Sequence, residues 1–160
     1  IDVKITIACV GKIKENFFTD AILEYKKRLS RFCKLDIVEV KDLKIPDNAS
    51  DKECEVILEK EGELILSKIP KSSYVIPLCI EGKQLSSPEL AEKISVISME
   101  QSHITFIIGG SLGMTDAVKN LGDFKLSFGK MTLPHQLMRV VLLEQIYRAF
   151  KINAKESYHK

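Results

Sequence analysis

The chain has 160 residues, 45% of them hydrophobic and 29% charged, with a formal net charge of +2. That length supports one domain, residues 1–160, with a core that needs no staples, and the composition excludes a disordered chain. A membrane-spanning chain is excluded too, because apolar runs such as Val140-Val-Leu-Leu143 fall far short of the ~20 residues a bilayer needs.

Lys4 to Val10 reads as a strand ended by Gly11. Lys12 and Lys14 break the apolar segment before it becomes a secretory core, so a cytoplasmic protein is expected. Phe17, Phe18, Ala21, Ile22, Tyr25, Leu29 and Phe32 then recur at helical spacing. Leu35–Val40 is a second strand. Ser50 and Glu53 form a capping box that opens a helix to about Ile69, with Val56, Ile57, Leu64 and Ile65 along it. Tyr74–Ile80 is a third strand, and Pro77, lacking an N–H, marks an edge or an irregularity in it. Ser86, Pro88 and Glu89 start another helix with the stripe Leu90, Ile94, Ile97. His103–Ile108 is a fourth strand running into Gly109-Gly110. A short helix near 115–121 precedes a fifth strand, Phe124–Phe128. The last helix spans about Pro134–Lys151, with Leu137, Val140, Val141, Ile146, Tyr147 and Phe150 as its apolar face, and a tail follows.

Strand and helix alternate throughout, which predicts an α/β fold: a mainly parallel sheet with helices on both faces. Ligands of such sheets sit beyond the carboxyl ends of the strands, so the segments 81–86, 109–114 and 129–134 are the ones to inspect. The cysteines at 9, 33, 54 and 79 form no CxxC or CxH pair, so four free thiols are expected and neither a zinc site nor a redox pair.

Gly109-Gly-Ser-Leu-Gly113 lets backbone approach a ligand closely before a helix start. It is not the Gly-x-Gly-x-x-Gly dinucleotide pattern and follows the fourth strand instead of the first, so a nicotinamide enzyme is a weak rival; an ordinary turn is another reading. Ser127–His135 is an apolar loop with free backbone groups, which suits an adenine ring or is a plain strand-to-helix connection. Residues 1–124 carry 17 Lys and Arg against 20 Asp and Glu, whereas residues 125–160 carry 7 against 2, a basic end that favours an anionic partner. Arg139 and Arg148 are two of the four arginines and offer forks for phosphate. His135 and the tail pair Tyr158-His159 can stack on a base or exchange a proton, or else cap the helix and form a loose terminus. His103 reads as structural.

Gly109–Gly113, Leu126-Ser-Phe128, Met131-Thr-Leu-Pro-His-Gln136, Arg139 through Phe150 and Tyr158-His-Lys160, together with Lys4–Lys12 and Asp51–Gly62, resemble the ribosomal large subunit methyltransferase H family over essentially the whole chain. The resemblance implies the SPOUT fold, with a C-terminal trefoil knot, a rare exception among folds. It also implies S-adenosylmethionine as cofactor, a homodimer, and methylation of N3 of a pseudouridine in 23S rRNA on the assembled ribosome, with no metal and no membrane partner. By position, Leu78, Gly110, Phe128, Gly129, Lys130, Met131, Thr132 and Leu133 are the expected cofactor contacts, and Pro134 shapes the last turn. His135 and Arg148 are expected to position substrate. His159 or Tyr158 is the expected base, with Arg139 stabilising an anionic ring. The rivals are a SPOUT enzyme with another RNA target and a non-catalytic ribosome-binding or assembly factor.

Overall fold

The computed structural model describes residues 2–160. In chain order the elements are β1 (Val3–Val10), α1 (Asn16–Leu29), β2 (Cys33–Val40), α2 (Asp51–Lys68), β3 (Tyr74–Gln84), α3 (Ser87–Glu100), β4 (His103–Ile108), α4 (Asp116–Leu121), β5 (Leu126–Ser127) and α5 (His135–Asn153). The strands lie in the order β2-β1-β4-β3-β5, and every pairing is parallel, not merely most of them.

Period-two alternation sends each strand's apolar side chains to both faces. Ile5, Ile7 and Cys9 of β1 join Ile104, Phe106 and Ile108 of β4 in the larger core, under residues of α1, α3 and α5 such as Leu29, Ile94 and Leu142. Ala8, Val10 and Ile107 point the other way, against Ile65 of α2 and Val118 of α4. Helices thus cover both faces, as expected. The capping box expected at Ser50 forms, and the helix start at Ser86 proves to be a second one: the Ser50 and Ser86 hydroxyls accept from the N–H groups of Glu53 and Glu89, and the two glutamates bond back.

Several expectations need correction. β3 runs on to Gln84, so 81–84 is strand and not loop. Pro77 is an irregularity inside the sheet, not an edge: β3 pairs with β4 up to Pro77, then turns to β5 with a register shift between Leu78 and Lys83. β5 keeps only two of the five residues expected. On α5 the fully buried residues are Arg139, Leu142, Leu143, Ile146 and Ala149, a face rotated from the stripe expected, because α1 and α3 flank the helix and leave Val140 and Val141 half-covered. On α2 the sheet-facing residues are Glu61, Gly62 and Ile65, while Val56 and Leu64 are exposed.

All four cysteines are free, with Cys9 and Cys33 buried. Burial pushes both of these thiols up to about 12, so they are inert core residues. Among the described residues no helix is long and apolar enough to cross a membrane, and no three His, Cys, Asp or Glu side chains gather as metal ligands.

Candidate active site

The carboxyl ends of β3, β4 and β5 enclose a cavity of ≈ 600 Å³, within the usual range of roughly 300–1,000 Å³ for small-molecule sites. Its walls come from three segments: Leu78–Glu81 of β3, Ile108–Met114 after β4, and Phe128–His135 after β5. Seven of the eight expected cofactor contacts line it, namely Leu78, Gly110, Phe128, Gly129, Met131, Thr132 and Leu133. Lys130 does not; its side chain is exposed outside the wall.

Local chemistry explains the shape of each wall. The Gly113 N–H donates to the Gly110 carbonyl at 3.0 Å, and Gly113 has φ 86°, so the chain reverses tightly after β4. A Cβ added to Gly109 would collide with the Gly113 carbonyl, which makes that turn compatible only with glycine. The Gly129 N–H donates to the Ser127 Oγ at 3.1 Å and holds the start of the third wall, where Gly129 has φ 124°. Beyond it, among the described residues, the backbone N–H groups of 130–133 have no acceptor in the protein. An apolar slot edged by uncommitted backbone groups is what a planar heterocycle requires.

Four further residues around the cavity were not foreseen. Lys119 of α4 pairs with Glu81 at the cavity wall, and Met138 of α5 lines the cavity too. Glu61 lies beneath the β4 turn: its Oε2 accepts from the Leu43 N–H at 3.3 Å, and a Cβ on Gly110 would lie 3.3 Å from its Oε1. Burial raises the pKa of this carboxyl, and nearby Asp42 adds to the rise. One sequence signal pointed to it: Glu61 sits four residues before Ile65 on the sheet-facing side of α2.

His135 lines the cavity at the start of α5, and its buried Nδ1 has no hydrogen-bond partner. Burial, then the Arg139 charge, lowers its pKa, with Asp42 pulling the other way. The folded ring therefore resists protonation, while the unfolded chain takes up a proton below about pH 6.5. Stability is expected to fall through this site as pH drops below that value. Denaturation of the parent and of His135→Gln between about pH 5 and 7.5 checks the expectation. The stability advantage of the parent should shrink toward pH 5; a gap independent of pH would contradict it.

Arg139 is not in the cavity. It is 1% exposed, and its guanidinium donates to Glu39 Oε2 at 2.5 Å and to the Gly11 carbonyl at 2.6 Å. Enclosed and committed in this way, it ties α5 to the exits of β1 and β2, and the charge-stabilising role expected of it is not what this geometry offers. Arg148, Tyr158 and His159 do come together, but away from the cavity. The Tyr158 hydroxyl and the Arg148 guanidinium both donate to Glu144, at 2.8 and 2.9 Å, and Arg148 donates to His159 Nδ1 at 3.1 Å. Burial and the Glu144 hydrogen bond push the Tyr158 pKa up to about 12, which makes it a poor base near neutrality. Arg148 can only donate, so in this contact His159 accepts at Nδ1.

A family model described as "Predicted SPOUT methyltransferase" matches residues 3–159. Ribosomal RNA large subunit methyltransferase H of Clostridium novyi is 58% identical over 157 residues, covering 98% of this chain and 99% of that protein. The chain belongs to the ribosomal RNA large subunit methyltransferase H family. The protein of that name from Bifidobacterium adolescentis is likewise 58% identical, over 158 residues, with 98% and 99% covered. A solved structure, described as a probable methylase family protein from Haemophilus influenzae, aligns with a TM-score of 0.54 at 15% identity. It covers 98% of this chain and 70% of that one, and it supports the SPOUT fold alone. Membership in the methyltransferase H family makes the three-walled cavity the place to look for a methyl donor.

Proposed function

We propose that the protein is an S-adenosylmethionine-dependent methyltransferase acting on N3 of a pseudouridine in 23S rRNA of the assembled ribosome, as a cytoplasmic homodimer whose C-terminal half is threaded as a trefoil knot. The observation that carries this reading is the convergence of three strand exits on one apolar cavity edged by free backbone N–H groups. The residues fit the cofactor: Gly109 and Gly110 let the turn after β4 close tightly on Gly113 and Val10 at the cavity wall, and the 128–133 segment offers hydrogen-bonding edges beside apolar side chains. S-adenosylmethionine supplies an electrophilic methyl group, so no metal is needed for activation.

What the protein adds is alignment and proton handling. Holding donor and acceptor in line contributes up to roughly 7–11 kcal/mol of the barrier reduction. The acceptor N3–H must lose its proton, and a placed acid–base group adds about 10²–10⁴ in rate. His159 is the candidate group: its Nδ1 lone pair, which accepts from Arg148 in this structure, takes the proton once Arg148 releases it, and Arg148 is held nearby by Glu144, which Tyr158 also bonds. His135, at the cavity wall, is placed to meet the substrate. Because the tail cluster does not line its own chain's cavity, the reading assigns it to the cavity of the second copy.

His159→Ala is expected to reduce methyl transfer by about 10²-fold or more while leaving cofactor affinity at the parental level. Transfer of labelled methyl to ribosomes, with calorimetry of S-adenosylmethionine, measures both. Unchanged turnover removes His159 from the mechanism. Nuclease digestion and mass spectrometry of the product locate the methyl group; a methylated ribose would favour a different SPOUT target, and binding without transfer an assembly factor.

A further inference from the structure

The basic end seen in the sequence is completed by residues far from it in the chain. α5 packs along α1, and this brings the last turn of α1, with Lys26, Lys27 and Arg28, next to the end of α5 and the tail. A groove of ≈ 470 Å³ opens between the end of α1 and the start of β2, lined by Lys26, Ser30, Arg31 and Lys34 with Asp2. Glu156 of the tail bridges to Arg31 and to Lys151, which joins the groove to the C-terminal region. Glu24, Glu144 and Glu156 are each held by an arginine or lysine of this surface. Among the described residues Lys26, Lys27, Lys34, Lys155 and Lys160 have no carboxylate at ion-pair distance.

Aromatic rings stiffen the surface from beneath. The Arg31 guanidinium lies 4.2 Å from the centre of the Phe32 ring, and Phe32 stacks on Phe150 at 5.6 Å with an interplanar angle of 8°. Cations at the end of one helix offset its dipole and need no ligand. That explanation covers Lys26 and Lys27; it does not cover Lys34 on a strand or Lys155 and Lys160 in the tail. A surface that sets unpaired lysines beside arginines seated on aromatic rings, with a groove lined by Lys26, Arg31 and Lys34, matches a flexible polyanion.

We propose that this surface docks the phosphodiester backbone of RNA, with a phosphate seated in the groove between α1 and β2. The inference rests on the function proposed above and extends it: the same surface carries Arg148 and His159, so RNA bound here lies beside the tail that serves the reaction. Nothing in it involves the cavity walls, so cofactor binding and RNA docking are separable.

The test compares the parent with the triple variant Lys26→Gln/Lys27→Gln/Lys34→Gln. A matched control, Lys52→Gln/Lys68→Gln/Lys71→Gln, removes the same charge from the opposite, α2 side. Co-sedimentation with ribosomes across a KCl series gives the slope of log affinity against log salt. Methyl transfer gives KM for ribosomes, and calorimetry with S-adenosylmethionine shows that each variant is folded. The first triple should flatten the slope by about 2 and raise KM severalfold, with cofactor affinity at the parental value; the control should change neither. A parental slope in the first triple, or equal flattening in both, overturns the docking surface. A parent that binds cofactor but neither sediments with ribosomes nor methylates them overturns the proposed function itself, and this inference with it.

Discussion

Gly109→Ala is expected to weaken cofactor binding by at least about tenfold and to destabilise the fold by about 1–3 kcal/mol. The added Cβ would strike the Gly113 carbonyl and lie 2.8 Å from its carbon. Both atoms are backbone and cannot swing aside like the end of a side chain. The 109–113 turn must open, and the wall that Gly110, Ser111 and Gly113 give the cavity moves with it. Gly110→Ala is the informative contrast. Its Cβ would meet the Val10 Cγ1 at 3.1 Å and Glu61 Oε1 at 3.3 Å, both side-chain atoms that can yield by a few tenths of an ångström. Calorimetry with S-adenosylmethionine on the two variants should therefore show the larger loss in Gly109→Ala. Equal, parental affinities would separate the turn from the binding site.

Arg139→Ala is expected to cost about 3–5 kcal/mol, the usual range when one partner of a buried ion pair is removed. The loss has three parts on one side chain: the Glu39 carboxylate, the Gly11 carbonyl and the packing of an arginine stem that is almost wholly enclosed. Glu39 is about a third exposed and recovers some solvation, which places the cost toward the lower end of that range. Arg139→Lys should recover only part of it, since one ammonium cannot span the carboxylate and the carbonyl as a planar fork does. Denaturant midpoints measure these changes; a loss under about 1 kcal/mol in Arg139→Ala would mean the pair contributes no more than a surface ion pair.

Much of this architecture was legible in the residues, for physical reasons that can be named. The capping box at Ser50 and the helix start at Ser86 are local, so their spacing shows in the sequence and survives in the fold. The alternation of strand and helix along the chain announced a sheet covered on both faces. Gly109-Gly110 and the 128–134 loop stood out because ligand approach needs bare backbone, and both line the cavity.

What stayed hidden depends on contacts between distant segments. β3 passes through Pro77 because its pairing partner changes there from β4 to β5, and no local pattern encodes that exchange. Arg139 reads as a phosphate fork in a basic helix, yet its partners are Glu39 and the end of β1, some hundred residues earlier in the chain. Lys130 sits within the right loop but points out of it. Tyr158 and His159 cluster as a pair, but only the fold shows them directed at Glu144 and Arg148 instead of their own cavity. The basic surface of α1 was invisible for the same reason, since its charges join those of α5 only through helix packing.

A crystal structure with S-adenosylmethionine bound tests the central claim most directly. The account predicts the adenosine between Leu78, Gly110 and the 128–133 segment, with backbone N–H groups of that segment donating to its ring. Cofactor seated near Gly11 and Lys12, or anywhere off the exits of β3, β4 and β5, would contradict it.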